Sequence, residues 1–199
     1  MKFTSRSRNN TATSIDRPPL YNMMFRSQSS LTLTTATNQT TSPAIKPSDG
    51  NRMTWGAPTW TLLHMIPEKV DPDKFVTYKD SIIRLIVTIC SNLPCPNCSQ
   101  HASEYMKKVN FIAIKTPEDL KKMLYIFHNS VNKRKGYAEY SYDNMNKYIA
   151  LDYTMVVNEF MSHFQKKIYA PNLIAQQIHR QKQVEVVKTW FRENLHLFQ

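Results

Sequence analysis

Glycine is scarce in this 199-residue chain, which has only Gly50, Gly56 and Gly136. No G-x-G-x-x-G fingerprint and no P-loop can be written with them, so a glycine-rich nucleotide loop is excluded. Any nucleotide bound here would have to be held by side chains on helices. No apolar run approaches the ~20 residues of a membrane span. Met1-Lys2-Phe3-Thr4-Ser5-Arg6 carries no apolar segment of the signal-peptide kind. The expectation is a protein that stays off the membrane and works in a reducing compartment. Cysteine is scarce too, with Cys90, Cys95 and Cys98 alone. In such a compartment a Cys-x-x-Cys is redox-active or metal-binding rather than a structural staple.

Acids are the under-represented charge: 15 Asp and Glu against 26 Lys and Arg, a formal net charge of +11. A basic balance of this size invites a nucleic-acid reading. The basic residues are spread along the chain, however, and no aromatic-interleaved basic motif accompanies them, which favours a diffuse, soluble surface. Residues 1–51 are rich in Ser, Thr and Asn and read as a mobile tail. Leu31 to Thr37 could form a strand, but nothing nearby looks like its partner.

Residues 52–165 read as the folded domain and 166–199 as a C-terminal helical extension. The expected fold is all-α: a four-helix bundle, a short fifth helix and an extra C-terminal helix. Helical spacing in Trp55 to Met65 gives the first helix. Lys74 to Ser91 gives the second, with a stripe of Phe75, Tyr78, Ile82, Leu85, Ile86 and Ile89. The third follows Pro94 and Pro96 and runs to about Val109. Thr116-Pro117-Glu118-Asp119 opens the fourth, which ends near Gly136. Ser141 or Asp143 opens the fifth, burying Tyr148, Leu151, Met155, Val156 and Phe160. After Pro171 the face Ile174, Ile178, Val184, Val187, Phe191 and Leu195 marks the last.

Leu93-Pro94-Cys95-Pro96-Asn97-Cys98 is the centre of the chain. It stands immediately before a helical run, so the cysteines lie at a helix N-terminus, where unpaired N–H groups and the macrodipole favour negative charge. One cysteine of the pair is therefore expected to ionise more readily than a free thiol. A second chemical face lies on the fourth helix. His128, Val131, Asn132 and Lys135 share one side by i, i+3, i+4 and i+7 spacing, a wall suited to a planar group ending in phosphates.

Taken in order, Trp55-Gly56-x3-Trp60-x3-His64, then Cys95-x2-Cys98, then His128-Asn129-x-Val131-Asn132 resemble the Erv/ALR family of FAD-linked sulfhydryl oxidases. They are most similar to its short members in large cytoplasmic DNA viruses. The resemblance covers roughly residues 53–164. It implies a helical bundle cradling FAD, with Cys98 beside the flavin and Cys95 reached by substrate. It implies flavin contacts from Trp55, Gly56, Trp60, His64, His128, Asn129, Val131, Asn132 and Lys135, from His101 and Tyr105 on the redox helix, and from Tyr142, where relatives often carry Trp. The implied reaction is that of a thiol:oxygen oxidoreductase: a protein dithiol, or a thioredoxin-like relay protein, is oxidised and molecular oxygen becomes hydrogen peroxide. The viral relatives suggest disulfides in virion proteins, made in the host cytoplasm and viral factory. Dimerisation through the first two helices is also implied, and the Phe75 to Ile89 stripe is compatible with it. Neither tail holds an additional cysteine pair for an internal shuttle.

Two other readings stand beside this one. Cys90, Cys95, Cys98 and His101 supply three thiolates and an imidazole, a set that structural zinc accepts. Lys133, Arg134, Lys135, Arg180, Lys182 and Lys188 could instead contact phosphates in a non-catalytic nucleic-acid module.

Overall fold

Proline in the first turn, preceded by a capping side chain, opens three of the long helices. The structure, a computed structural model, describes residues 53–166 and 174–198. Helix α1 is Gly56–Lys69, α2 Pro72–Ser91, α3 Pro96–Lys108 and α4 Pro117–Lys135. Helix α5 is Tyr153–Phe164 and α6 Ile174–Glu193, and 3-10 segments cover Phe111–Ala113, Tyr142–Ala150 and Leu195–Leu197. The Asp71 carboxylate accepts the Asp73 N–H to open α2. Thr116 and Asp119 cap one another's backbone in a full capping box at α4. Helix α4 ends on Gly136, whose φ of 69° is the left-handed turn-off glycine allows.

Helix α1 is the central post. Leu62 to Pro67 are all buried, as expected of a helix surrounded by others. Helices α4 and α5 and the Tyr142–Ala150 segment pack on it, α3 packs on α2, and α6 lies across α2 and α5. Every residue of the α2 stripe except the half-buried Tyr78 is in this core, with Phe75, Ile82, Ile86 and Ile89 at 0% exposure. The stripe is used within the chain, so it gives no argument for a dimer face.

Two expectations need correction. The segment from Ser141 does not form one helix: Ser141 opens the 3-10 stretch, and Asp152 caps α5 afresh by accepting the Met155 N–H at 2.7 Å. The new start sets a new phase, burying Tyr153, Val156, Phe160 and Phe164 and leaving Met155 73% exposed. On α6 the buried face is Arg180, Val184, Val187 and Phe191, while Ile178 and Leu195 are exposed. Ile178 precedes Val187 by nine residues, two and a half turns at 3.6 residues per turn, and so falls on the opposite side. The side chain of Ile174, the tail with its possible strand, and Pro171 lie outside the described residues.

The C-terminal segment straps α2. Trp190 donates to Ser81 Oγ at 2.8 Å, Lys74 donates to the His196 carbonyl at 2.9 Å, and Phe198 bridges Val70 in antiparallel fashion. Arg180 donates to the carbonyls of Asn92, Lys166 and Phe164, closing the ends of α2 and α5. Among the described residues no helix is long and apolar enough to cross a membrane.

Candidate active site

Cys95 is itself the N-cap of α3. Its sulfur accepts the Cys98 N–H at 3.3 Å, and Pro96 occupies the first helical position, where a missing donor costs nothing. Both sulfurs belong to half-buried residues, but they face different surroundings. Cys98 lines a narrow slot with Ala102, one turn further along α3. The start of α1 supplies Trp55, Gly56, Thr59, Trp60 and Leu63 to the same slot, and α4 supplies Phe127, Val131, Arg134 and Lys135. The α4 set follows i, i+4, i+7 and i+8, one face of a helix. The slot's open volume is about 60 Å³.

A cluster of rings continues from Trp60. The Trp60 and His128 rings are stacked 4.0 Å apart at 12°. His128 Nδ1 and His64 Nε2 share a hydrogen bond of 2.8 Å. Tyr140 stacks on both, at 4.7 Å from His128 and 5.7 Å from His64. Burial first, then the charge of Lys147, holds His128 down to about 4. Burial, His128 and Lys147, in that order, hold His64 down to about 3. Both imidazoles are therefore neutral near pH 7, so their shared bond is between a neutral donor and a neutral acceptor.

At Cys98 the surroundings oppose ionisation. Burial pushes its thiol up to about 11, and hydrogen bonding and charge at Cys95 add to this, against the pull of Lys135 and Arg134. Placing a thiolate in this wall beside the Cys95 sulfur costs more than the two nearby cations return. Cys90 is fully buried, its thiol pushed up to about 12 by desolvation, and it plays no part in the slot.

The residues singled out from the sequence are distributed as follows. Trp55, Gly56, Trp60, Cys98, Val131 and Lys135 line the slot, and His64 and His128 form the ring cluster beside it. The four-residue face of α4 is thus divided, with His128 turned to α1 and Val131 and Lys135 turned to the slot. Asn129 clamps a backbone: its amide donates to the Tyr140 carbonyl at 3.1 Å and its oxygen accepts the Tyr140 N–H at 2.8 Å. Asn132 is half-buried near the end of α4, where its carbonyl accepts the Tyr137 N–H. The Tyr105 ring lies tilted against Phe127 at 4.6 Å, and exposed His101 takes a hydrogen bond from Arg134 at 2.8 Å. Tyr142 stands apart, bonded to Glu118 at 2.6 Å. Glu118 is ten residues from His128 along α4, ~15 Å of helix rise.

Sequence reasoning missed Phe127 and Ala102, one turn from Val131 and Cys98, although helical spacing could have found them. It named Arg134 only as a phosphate contact in the nucleic-acid reading, and missed Lys147 and Tyr140. For Tyr140 no local signal existed, because Asn129 places it across a loop. The zinc set does not assemble: among the described residues no three His, Cys, Asp or Glu side chains converge on a metal position. The phosphate reading loses Arg180, which is 8% exposed and committed to carbonyls.

Comparison with known proteins bears on this arrangement. Residues 57–150 match the model of the Erv1 / Alr family. A putative FAD-linked sulfhydryl oxidase, 347L, of Invertebrate iridescent virus 6 is 31% identical over 88 residues, 41% of this chain and 79% of the relative. The chain belongs to the Erv1/Alr family. An FAD-linked sulfhydryl oxidase of African swine fever virus (isolate Tick/Malawi/Lil 20-1/1983) is 32% identical over 80 residues to this family member, which covers 66% of that protein's length. A probable FAD-linked sulfhydryl oxidase, OPG072, of Vaccinia virus (strain Copenhagen) is 27% identical over 89 residues, 45% of this family member and 87% of the relative. No solved structure matches.

Proposed function

We propose that this chain is an FAD-linked sulfhydryl oxidase that converts thiol pairs in proteins to disulfides through Cys95 and Cys98. One observation carries the reading: Cys98 sits in the wall of an aromatic slot while Cys95 begins the same helix outside that wall. The names of the viral relatives support it.

The residues present fit the flavin group. Gly56 borders the slot with nothing within 4 Å of where a Cβ would stand, so neither packing nor φ demands a glycine there. His64 Nδ1 is buried with no hydrogen-bond partner in the ring cluster. Lys135 and Arg134 put two cations at the slot, suited to a pyrophosphate. Trp55, Gly56, Trp60, His64, His128, Val131, Asn132 and Lys135 would hold the group, and Asn129 would position Tyr140. At about 60 Å³ the slot is smaller than ligand pockets of ~300 Å³ and more. Binding must therefore part its walls, and Arg134 and Lys135 are the long side chains able to swing out.

In the disulfide form, a substrate thiolate attacks Cys95 Sγ, forming a mixed disulfide and releasing Cys98 as thiolate. Cys95 then carries neither proton nor charge, so its upward push on Cys98 disappears while Lys135 and Arg134 remain. The second substrate thiol, deprotonated, attacks the substrate sulfur of the mixed disulfide; the product leaves oxidised and Cys95 leaves as thiolate. When bound, the flavin would supply the two-electron redox chemistry that returns the Cys95/Cys98 dithiol to its disulfide, with oxygen as final acceptor.

We assign this chemistry to residues 52–165, with 166–199 as an added helical element. The viral origin of the relatives supports a role in virion protein disulfides formed in the host cytoplasm. The visible spectrum tests the core of the reading. A yellow protein that bleaches with dithiothreitol under nitrogen and recovers in air is expected; a colourless protein without thiol-dependent oxygen uptake overturns it.

A further inference from the structure

The two long sides of α3 face different spaces. Cys98 and Ala102 border the aromatic slot. Pro96, Asn97, Ser99, Gln100 and Ser103, displaced around the helix, border a groove of about 600 Å³ on the other side. Its far wall is α6, through Gln177, His179 and Arg180, which lies beyond the family match ending at residue 150. Leu93 borders both slot and groove, and Cys95 lies two residues further on, directly before the groove residue Pro96. We propose that this groove seats an extended stretch of the polypeptide substrate and presents its thiol to Cys95.

The inference rests on the thiol-oxidase reading and adds the form in which the substrate is recognised. The lining chemistry selects the occupant. Asn97, Gln100, Ser103 and Gln177 carry amides and hydroxyls, groups that both donate and accept, as the backbone of an extended chain also does. Among the described residues no carboxylate lines the groove, and the guanidinium of Arg180 is committed to carbonyls, so recognition runs through main-chain hydrogen bonds and tolerates many sequences. The length agrees. From Pro96 to Ser103, α3 rises ~10 Å, which an extended strand spans with about three residues. Both walls are held in place: Arg180 donates to the carbonyl of Asn92, three residues before Cys95, and Trp190 anchors α6 on Ser81. Flavin and substrate would thus lie on opposite sides of one helix, with the Cys95/Cys98 pair at its start.

The test fills the groove without touching slot or cysteines. Gln100→Trp and Ala175→Trp are made at exposed positions, one on each wall. With reduced, unfolded ribonuclease as substrate, kcat/KM should fall at least tenfold in either variant. Dithiothreitol oxidation and the flavin spectrum should stay within twofold of the parent. A second measurement needs no flavin turnover. In Cys98→Ala protein, the Cys95 thiolate displaces thionitrobenzoate from a capped cysteine, and a cysteine decapeptide should react about tenfold faster than capped N-acetylcysteine. That advantage should vanish when Ala175→Trp is added. Equal rates for peptide and capped cysteine in Cys98→Ala overturn the groove assignment, as does a parallel loss on both substrates in the Trp variants. Slowing only with a folded thioredoxin-like protein also overturns it. A parent that oxidises neither substrate overturns the oxidase reading, while the displacement rates still decide whether the groove holds peptide.

Discussion

Replacing Arg180 by Met removes a buried cation whose partners are all backbone. The guanidinium donates to the carbonyls of Asn92, Phe164 and Lys166, and it lies 5.1 Å from the Phe164 ring centroid. Burial depresses its pKa, so holding the charge has a cost that the carbonyl contacts must offset. Methionine refills much of the stem and restores none of the three bonds. Stranding three carbonyls at about 1 kcal/mol each costs about 3 kcal/mol, reduced somewhat by removal of the buried charge. With a urea m-value of about 2 kcal/mol/M, the unfolding midpoint should drop by roughly 1.5 M. Arg180→Lys keeps the charge but not the planar fork, and should fall between the two. The Cys95 loop should loosen as well, because Asn92 loses its anchor, and displacement at Cys95 should lose its preference for peptide. A Met variant within 0.5 kcal/mol of the parent, with an unchanged m-value, would refute the assignment of Arg180 as the tie between α6 and the redox loop.

Three further outcomes are expected. Cys95→Ala and Cys98→Ala should each abolish thiol-dependent oxygen uptake while retaining the flavin spectrum; turnover of dithiothreitol by either variant contradicts the two-cysteine scheme. His64 and His128 are held near 3 and 4 in the folded chain, below the 6.5 of an unfolded histidine. The unfolded state therefore binds more protons below that value, so stability is flat above pH 7 and falls as pH drops through 6.5 towards 4. The slope approaches ~2.7 kcal/mol per pH unit where both differ; urea midpoints at pH 7.5, 6 and 5 measure it, and His128→Phe should halve it. Asn129→Leu strands the Tyr140 N–H and C=O and should cost about 2 kcal/mol, with flavin retention on gel filtration reduced; full retention and stability would remove Asn129 from the support of the ring cluster.

Local chemistry made much of this protein readable in one dimension. Helix starts at Cys95-Pro96 and Thr116-Pro117 involve groups three residues apart, and the α2 stripe follows from helical pitch alone. The Cys95/Cys98 pair, its place at a helix start, and Trp55, Gly56, Trp60, Val131 and Lys135 of the slot could be written from motif spacing. What failed did so where phase is reset. Asp152 restarts α5 and turns Met155 outward, and the burial of Arg180 in place of Ile178 on α6 depends on three carbonyls that come from the ends of other helices.

The sequence by itself determined an all-α chain with a dithiol at a helix N-terminus and aromatic and imidazole residues at helical spacing on two others. Only the tertiary structure decided which of them meet. It paired His64 with His128, brought Tyr140 over both through Asn129, and sent Tyr142 to Glu118. It set Cys98 behind an apolar wall that raises its thiol when the helix terminus alone would lower it. Desolvation and long-range stacking are sums over neighbours contributed by several helices, and no spacing within one segment contains them.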